Sequence, residues 1–110
     1  MKHVLFDLKE CPSDLLDDET YIKDSLINAA IAAGCQVIKT EIHKFEPQGI
    51  TGYVLLAESH LSMHTWPEKG IAKCDIFTCS SNNDPKAAVE YLRNQFKAME
   101  VRRWTCDRSL

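Results

Sequence analysis

Ile22, Leu26, Ala29, Ala30 and Ala33 recur at i, i+4, i+7, i+8 and i+11, the spacing of one apolar face on an α-helix. Asp17, Asp18 and Glu19 place negative charge where a helix starts, and Gly34 offers a left-handed cap where it ends. The spacing predicts a helix over Glu19 to Ala33. A single helix of this length cannot bury its stripe alone, so its partner must come from the rest of the chain. Most of that remainder has the two-residue period of β-strands, which makes a helix lying on a sheet the governing constraint.

Lys2 to Leu8 is short and rich in Val, Leu and Phe, and reads as a first strand ended by Cys11-Pro12-Ser13. Val37 to Phe45 is dominated by alternating and β-branched residues, and Ile50 to Ala57 follows across a Pro47-Gln48-Gly49 turn as its hairpin partner. Ile71 to Cys79 alternates cleanly. Asp84 and Pro85 are suited to the N-cap and first residue of a second helix, whose predicted stripe is Ala88, Leu92, Phe96 and Met99. Val101 to Cys106 reads as a closing strand. This order predicts one domain of the α+β class. It is a two-layer sandwich, a mainly antiparallel sheet with two helices packed on one face.

Composition narrows the function. At 110 residues, with 45% hydrophobic and 26% charged residues, the chain has the balance of an ordinary globular domain. The formal net charge of −3 and the lone Arg102-Arg103 pair speak against nucleic-acid binding. No apolar run approaches the roughly 20 residues that span a bilayer, and no basic amphipathic helix suggests a membrane surface. Five cysteines at wide spacings, with no Cys-x-x-Cys and no secretion signal, fit a reducing cytoplasm.

Chemistry-bearing residues concentrate between Glu58 and Glu68, where two imidazoles, two serines, two carboxylates and an indole fall within eleven positions. The segment reads as a polar insertion joining two strong strands, with Glu58 to Met63 fitting neither helix nor strand. His60 and His64 on a strand would lie about 13 Å apart; with no third ligand in view, no metal is expected. Ser59 or Ser62 with a histidine and an acid would suggest a hydrolase, but the chain has no Gly-x-Ser-x-Gly elbow. Cys79 with His64 is a further nucleophile pair, and a packed core cysteine is the plainer alternative. No glycine-rich phosphate loop occurs.

The run from Gly52 to Glu68, with Glu58-Ser59-His60-Leu61 and His64-Thr65-Trp66-Pro67-Glu68, resembles the maturation segment of the prokaryotic S-adenosylmethionine decarboxylase family. Asp75-Ile76-Phe77-Thr78-Cys79 resembles that family's second motif at the expected distance. His43-Lys44-Phe45, and a first strand from His3 to near Cys11, extend the similarity over nearly the whole chain.

The resemblance implies a self-processing, pyruvoyl-dependent decarboxylase of polyamine biosynthesis. The Glu58–Ser59 bond would break autocatalytically, giving a beta chain 1–58 and an alpha chain 59–110. Ser59 would attack the Glu58 carbonyl, and β-elimination and hydrolysis would convert Ser59 into an N-terminal pyruvoyl group, the cofactor. That group would form a Schiff base with the amine of a small amino-acid-type substrate. His64 matches the family's processing histidine and Cys79 its catalytic cysteine; Phe45 and Trp66 match aromatic surfaces for adenine, and Glu68 a carboxylate for ribose. Cys11, Cys35, Cys74 and Cys106 match no role. The family forms its sites between two protomers of a homodimer.

Asp7 stands where the family commonly has glutamate, Lys9 where an aromatic is common, Thr51 in place of a serine tied to processing, and Ser80 in place of a glycine. Relatives often carry a longer tail. With Asp7 or Glu68 holding a distal positive charge, L-ornithine or L-arginine becomes the alternative substrate, giving putrescine or agmatine. An unprocessed binding or regulatory homologue is the alternative from another class.

Overall fold

The computed structural model describes residues 1–109. Six strands, β1 (Lys2–Lys9), β2 (Val37–Lys44), β3 (Ile50–Leu56), β4 (Ser59–Trp66), β5 (Ile71–Thr78) and β6 (Glu100–Asp107), form one sheet in the order β2-β3-β4-β5-β1-β6. Every neighbouring pair is antiparallel. Helices α1 (Glu19–Ala32) and α2 (Pro85–Gln95) lie on the same side and touch each other, α1 over β2, β3 and β4 and α2 over β1 and β5. This is the expected α+β sandwich.

Alternation decides which face each side chain takes. Val4, Phe6 and Leu8 of β1, Val54 and Leu56 of β3, Leu61 and Met63 of β4, and Ala72, Cys74 and Ile76 of β5 all point under the helices and are buried. They meet Ile22, Leu26, Ala29, Ala30 and Ala33 from α1 and Ala88, Val89, Leu92 and Phe96 around α2. Gly52 is the one strand position here where the helix layer leaves no space. A Cβ would come within 2.6 Å of Ile42 Cδ1 and 3.2 Å of Leu26 Cδ1.

Both helices end alike. Gly34, at φ +78°, lets Cys35 N–H reach Ala30 O and Gly34 N–H reach Ile31 O, the paired bonds of a Schellman cap. Lys97, at φ +53°, does the same for α2 without glycine, with Ala98 N–H on Arg93 O and Lys97 N–H on Asn94 O. The second helix is therefore shorter than its sequence stripe suggested. Ala88, Leu92 and Phe96 are buried, but Met99 lies past the cap and is 75% exposed. Asp84 is the N-cap, its carboxylate accepting from Lys86 N–H, and Asp18 caps α1 through Tyr21 N–H.

The larger correction concerns residues 58–66. Only Ala57 and Glu58 make the turn, and Ser59–Trp66 is a full strand paired with β3 on one side and β5 on the other. Its core-facing residues are only Leu61, Met63 and Thr65, too few to reveal the period among polar neighbours.

Thr65 couples this strand to the segment between β1 and α1. Its Oγ1 donates to Leu16 O at 2.7 Å and accepts from Ile50 N–H at 2.9 Å, all three residues being buried. Replacing the hydroxyl with a methyl at equal volume leaves a buried donor and a buried acceptor unpaired. Thr65→Val should therefore lose about 1–3 kcal/mol of stability in urea unfolding.

Candidate active site

The face of the sheet away from the helices carries the residues singled out by sequence. On β4 these are His60, Ser62, His64 and Trp66, alternating with the core residues. They pair across to Phe77, Asp75, Lys73 and Ile71 of β5. On β1, His3, Leu5 and Asp7 face the same way, opposite Phe77, Asp75 and Lys73.

Two separate groups emerge. The first surrounds the β3–β4 turn. Ser59 begins β4 with φ +155°, a backbone region that glycine adopts freely and that costs another residue about 1–3 kcal/mol. The carbonyl of Glu58, on the other side of that peptide bond, accepts from Cys79 N–H at 3.1 Å. Cys79 follows β5, whose last residue Thr78 pairs with Ser59, and it is exposed. Glu58 Oε1 is held by Gln36 N–H at 3.3 Å. Ser59 Oγ lies 3.5 Å from Nδ1 of His60.

Next to it is a network that sequence reading missed. Asp75 Oδ2 accepts from Nε2 of His60 at 2.7 Å and from Nε2 of His3 at 2.8 Å, and Oδ1 accepts from the Ser62 hydroxyl. Burial alone would raise the Asp75 carboxyl, but the hydrogen bonds from Ser62, His60 and His3 outweigh it and hold it below the usual carboxylate range. The three possible ligand atoms of His3, His60 and Asp75 lie within 4.8 Å of one another, so the two partners of His60 not seen in sequence come from β1 and β5. The cross-strand register alone could have found them, since Phe77 pairs with both His3 and His60.

The second group lies at the other end of β4. Thr51 pairs with His64, and Thr51 Oγ1 sits 3.1 Å from His64 Nδ1. Phe45, Thr51, His64, Trp66 and Glu68 line one open pocket of about 350 Å³. Phe45 and Trp66 are both exposed, as ring surfaces available to a ligand must be. Five residues of strand separate Ser59 from His64, roughly 16 Å at the rise of a β-strand. Level with His64 across β5, Asp7 holds the ammonium of Lys73 at 3.1 Å. Its carboxylate is thus already paired, a partner not anticipated from sequence.

Among the other cysteines, Cys11, Cys35 and Cys74 are buried and Cys106 is exposed. Desolvation pushes the Cys11 thiol up to about 11 and Cys74 well above its usual range, which suits packing rather than reaction.

A family model for S-adenosylmethionine decarboxylase matches residues 2–109. The S-adenosylmethionine decarboxylase proenzyme of Synechococcus sp. (strain WH7803) is 46% identical over 89% of this chain and 77% of its own length. That of Methanococcus vannielii is 43% identical over 91% of this chain and 82% of its own. The crystal structure of adenosylmethionine decarboxylase from Aquifex aeolicus superposes with a TM-score of 0.91 at 34% identity, covering 99% of this chain and 90% of that one. The strained serine beside a thiol, the aromatic-lined pocket and this similarity over almost the whole chain lead to one assignment: the chain belongs to the S-adenosylmethionine decarboxylase family, a family of decarboxylating enzymes.

Proposed function

We propose that the chain cleaves itself between Glu58 and Ser59, acquires a pyruvoyl group from Ser59, and decarboxylates S-adenosylmethionine in the cytoplasm as a step of polyamine biosynthesis. The observation that carries this reading is the peptide bond itself. Ser59 is backbone-strained, its hydroxyl is adjacent to the carbonyl it must attack, and that carbonyl oxygen already accepts the Cys79 amide. An N–H aimed at this oxygen stabilises the negative charge that develops there when the carbonyl carbon becomes tetrahedral. Relief of the strained φ favours breaking this bond over its neighbours.

The pyruvoyl group supplies an electrophilic carbonyl that binds the substrate amine and takes up the electron pair left as CO₂ departs. Cys79 is assigned the return of a proton to the α-carbon, supported by its exposure and by its backbone N–H on the Glu58 carbonyl. Phe45 and Trp66 present aromatic faces to adenine, and Glu68 beside them offers two acceptor oxygens to the ribose diol. The Asp7–Lys73 pair weighs against L-ornithine or L-arginine at Asp7, one of the two carboxylates that could hold their distal cation, because it already carries an ammonium. The sequence retains Ser59, His64 and Cys79, which disfavours an unprocessed regulatory homologue. Thr51 retains the hydroxyl against His64 that its replacement of serine had put in question.

The roughly 16 Å between Ser59 and His64 supports a second part of the reading. His64, with the Phe45–Trp66–Glu68 pocket, serves the Ser59 of a partner protomer. The helix-free face bears Leu5, Tyr53, Leu55 and Trp104, each about 40–50% exposed, which is unusually apolar for a solvated sheet face. Two such faces packed about a two-fold axis bring the Ser59 end of one β4 against the His64 end of the other. All five cysteines are unpaired, consistent with a reducing cytoplasm.

The parent chain should mature into fragments 1–58 and 59–110 by intact mass, and release CO₂ from S-adenosylmethionine but not from ornithine or arginine. Ser59→Ala should stay whole. Cys79→Ala retains the backbone amide on Glu58 and loses only the thiol, so it should still cleave while turnover falls by about 100-fold or more. A parent that remains one chain and is inert to all three amino acids would refute the reading.

Sharing of the site has its own signature. Ser59→Ala and His64→Ala should each fail to mature when expressed alone. Co-expressed, they form mixed dimers in which one site combines an intact Ser59 with an intact His64. Cleavage of the His64→Ala chain in that mixture, read by mass, is the expected result.

A further inference from the structure

The network around Asp75 has no part in the roles above, yet it ends at the reacting hydroxyl. A neutral histidine carries one ring proton. Asp75 Oδ2 accepts from Nε2 of His60, so that proton is on Nε2 and Nδ1 keeps its lone pair. This bare Nδ1 is the atom 3.5 Å from Ser59 Oγ. We propose that His60 is the general base that takes the Ser59 hydroxyl proton in the first step of self-cleavage, with Asp75 as its positioning residue and His3 and Ser62 fixing the carboxylate. The assignment rests on the reading of Glu58–Ser59 as the bond that breaks.

The step balances without a co-reactant. The Oγ–H proton passes to His60 Nδ1 as Oγ bonds to the Glu58 carbonyl carbon. The carbonyl π-pair moves onto oxygen, where the Cys79 N–H receives it. On collapse the carbonyl re-forms and the bond from Glu58 C to Ser59 N breaks. His60 returns its proton to that nitrogen, leaving an ester and a free amine. His64 cannot replace His60 from within the same chain, being roughly 16 Å along the strand. The His64 that a partner protomer would bring to Ser59 has its Nδ1 against Thr51, and we assign it the elimination that follows.

The arrangement of four side chains also argues for a fixed, ionised carboxylate that orients His60 rather than relaying its proton. His3 and His60 both aim Nε2 at one oxygen of Asp75, and Ser62 takes the other, so the carboxylate can neither rotate nor pick up a proton easily. The network spans β4, β5 and β1, with β5 hydrogen-bonded to both of the others, so its geometry is as rigid as the sheet.

The test follows cleavage of the purified full chain by intact mass. His60→Ala and His60→Gln should slow it about 100-fold or more, with imidazole partly rescuing His60→Ala. Asp75→Asn should cost at least about 10-fold through the wrong tautomer, and Asp75→Glu should recover much of that loss. Hydroxylamine, which cuts esters but not amides, should release no 1–58 fragment from stalled His60→Ala, because no ester has formed. His60→Gln provides the same reading if the alanine variant is unfolded by circular dichroism.

Three results would overturn the assignment while leaving self-cleavage intact. The first is both His60 variants maturing within about three-fold of the parent, well short of a general base's contribution. The second is a stalled His60 chain that hydroxylamine cuts at 58–59. The third is arrest of the parent by a chelator with recovery on adding a divalent metal, which would make the His3–His60–Asp75 cluster a metal site. A parent that never cleaves refutes instead the reading on which the assignment stands.

Discussion

Strand β4 is hydrogen-bonded along both edges, to β3 through Thr51–Leu56 and to β5 through Ile71–Thr78. That double pairing fixes its register, and a two-residue period then leaves no freedom in which side chains face the helices. Leu61, Met63 and Thr65 hold the strand in the core. His60, Ser62, His64 and Trp66 must therefore stand on the open face, in line and at fixed spacing. A slip of one residue would bury the imidazoles and expose the apolar side chains. The core thus sets the geometry of the chemistry, and a strain at Ser59 can be maintained because the strand it starts is held on both sides.

The same rigidity prevents one chain from assembling the whole set of residues. A strand cannot fold back on itself, so Ser59 and His64 stay at opposite ends of β4 however the side chains turn. Helices cover one side of the sheet only, and Leu5, Tyr53, Leu55 and Trp104 make the other side costly to leave in water. Packing that surface against a second copy, as proposed above, would bury it and complete the set of reactive groups in one arrangement. A chain of 110 residues has no second sheet of its own with which to do either.

The helices and most strands were legible because their signals are local. Asp18, Asp84, Pro85 and Gly34 act within one turn, and the stripe of α1 repeats five times. The end of α2 was not, because Lys97 adopts a left-handed cap without the glycine that would announce it. Strand β4 was hidden for a related reason. Its outward positions carry His60, Ser62 and His64, so an inward period is carried by only Leu61, Met63 and Thr65. The individual candidates Ser59, His64, Cys79, Phe45, Trp66 and Glu68 could be named from motifs. Their division into two groups could not, since it depends on where β4 begins. The Asp75 network was beyond reach because its members lie 13, 15 and 72 residues from Asp75 and meet only through strand order.

Strand order also determines what cleavage at Glu58–Ser59 would do to the fold. The first fragment would contain β1, α1, β2 and β3, and the second β4, β5, α2 and β6. These do not form two halves of the sheet. β1 belongs to the first fragment but lies between β5 and β6 of the second, while β3 pairs with β4 across the cut. Three of the five strand pairings and the contact between the helices therefore join the two fragments. Separating them would require stripping β1 from both its neighbours and opening the shared core, so the broken bond removes almost none of the packing. What it removes is the constraint at Ser59, whose nitrogen and carbonyl no longer need to satisfy the turn. A cut there would place the proposed pyruvoyl group at a break in the backbone that the topology makes structurally inexpensive.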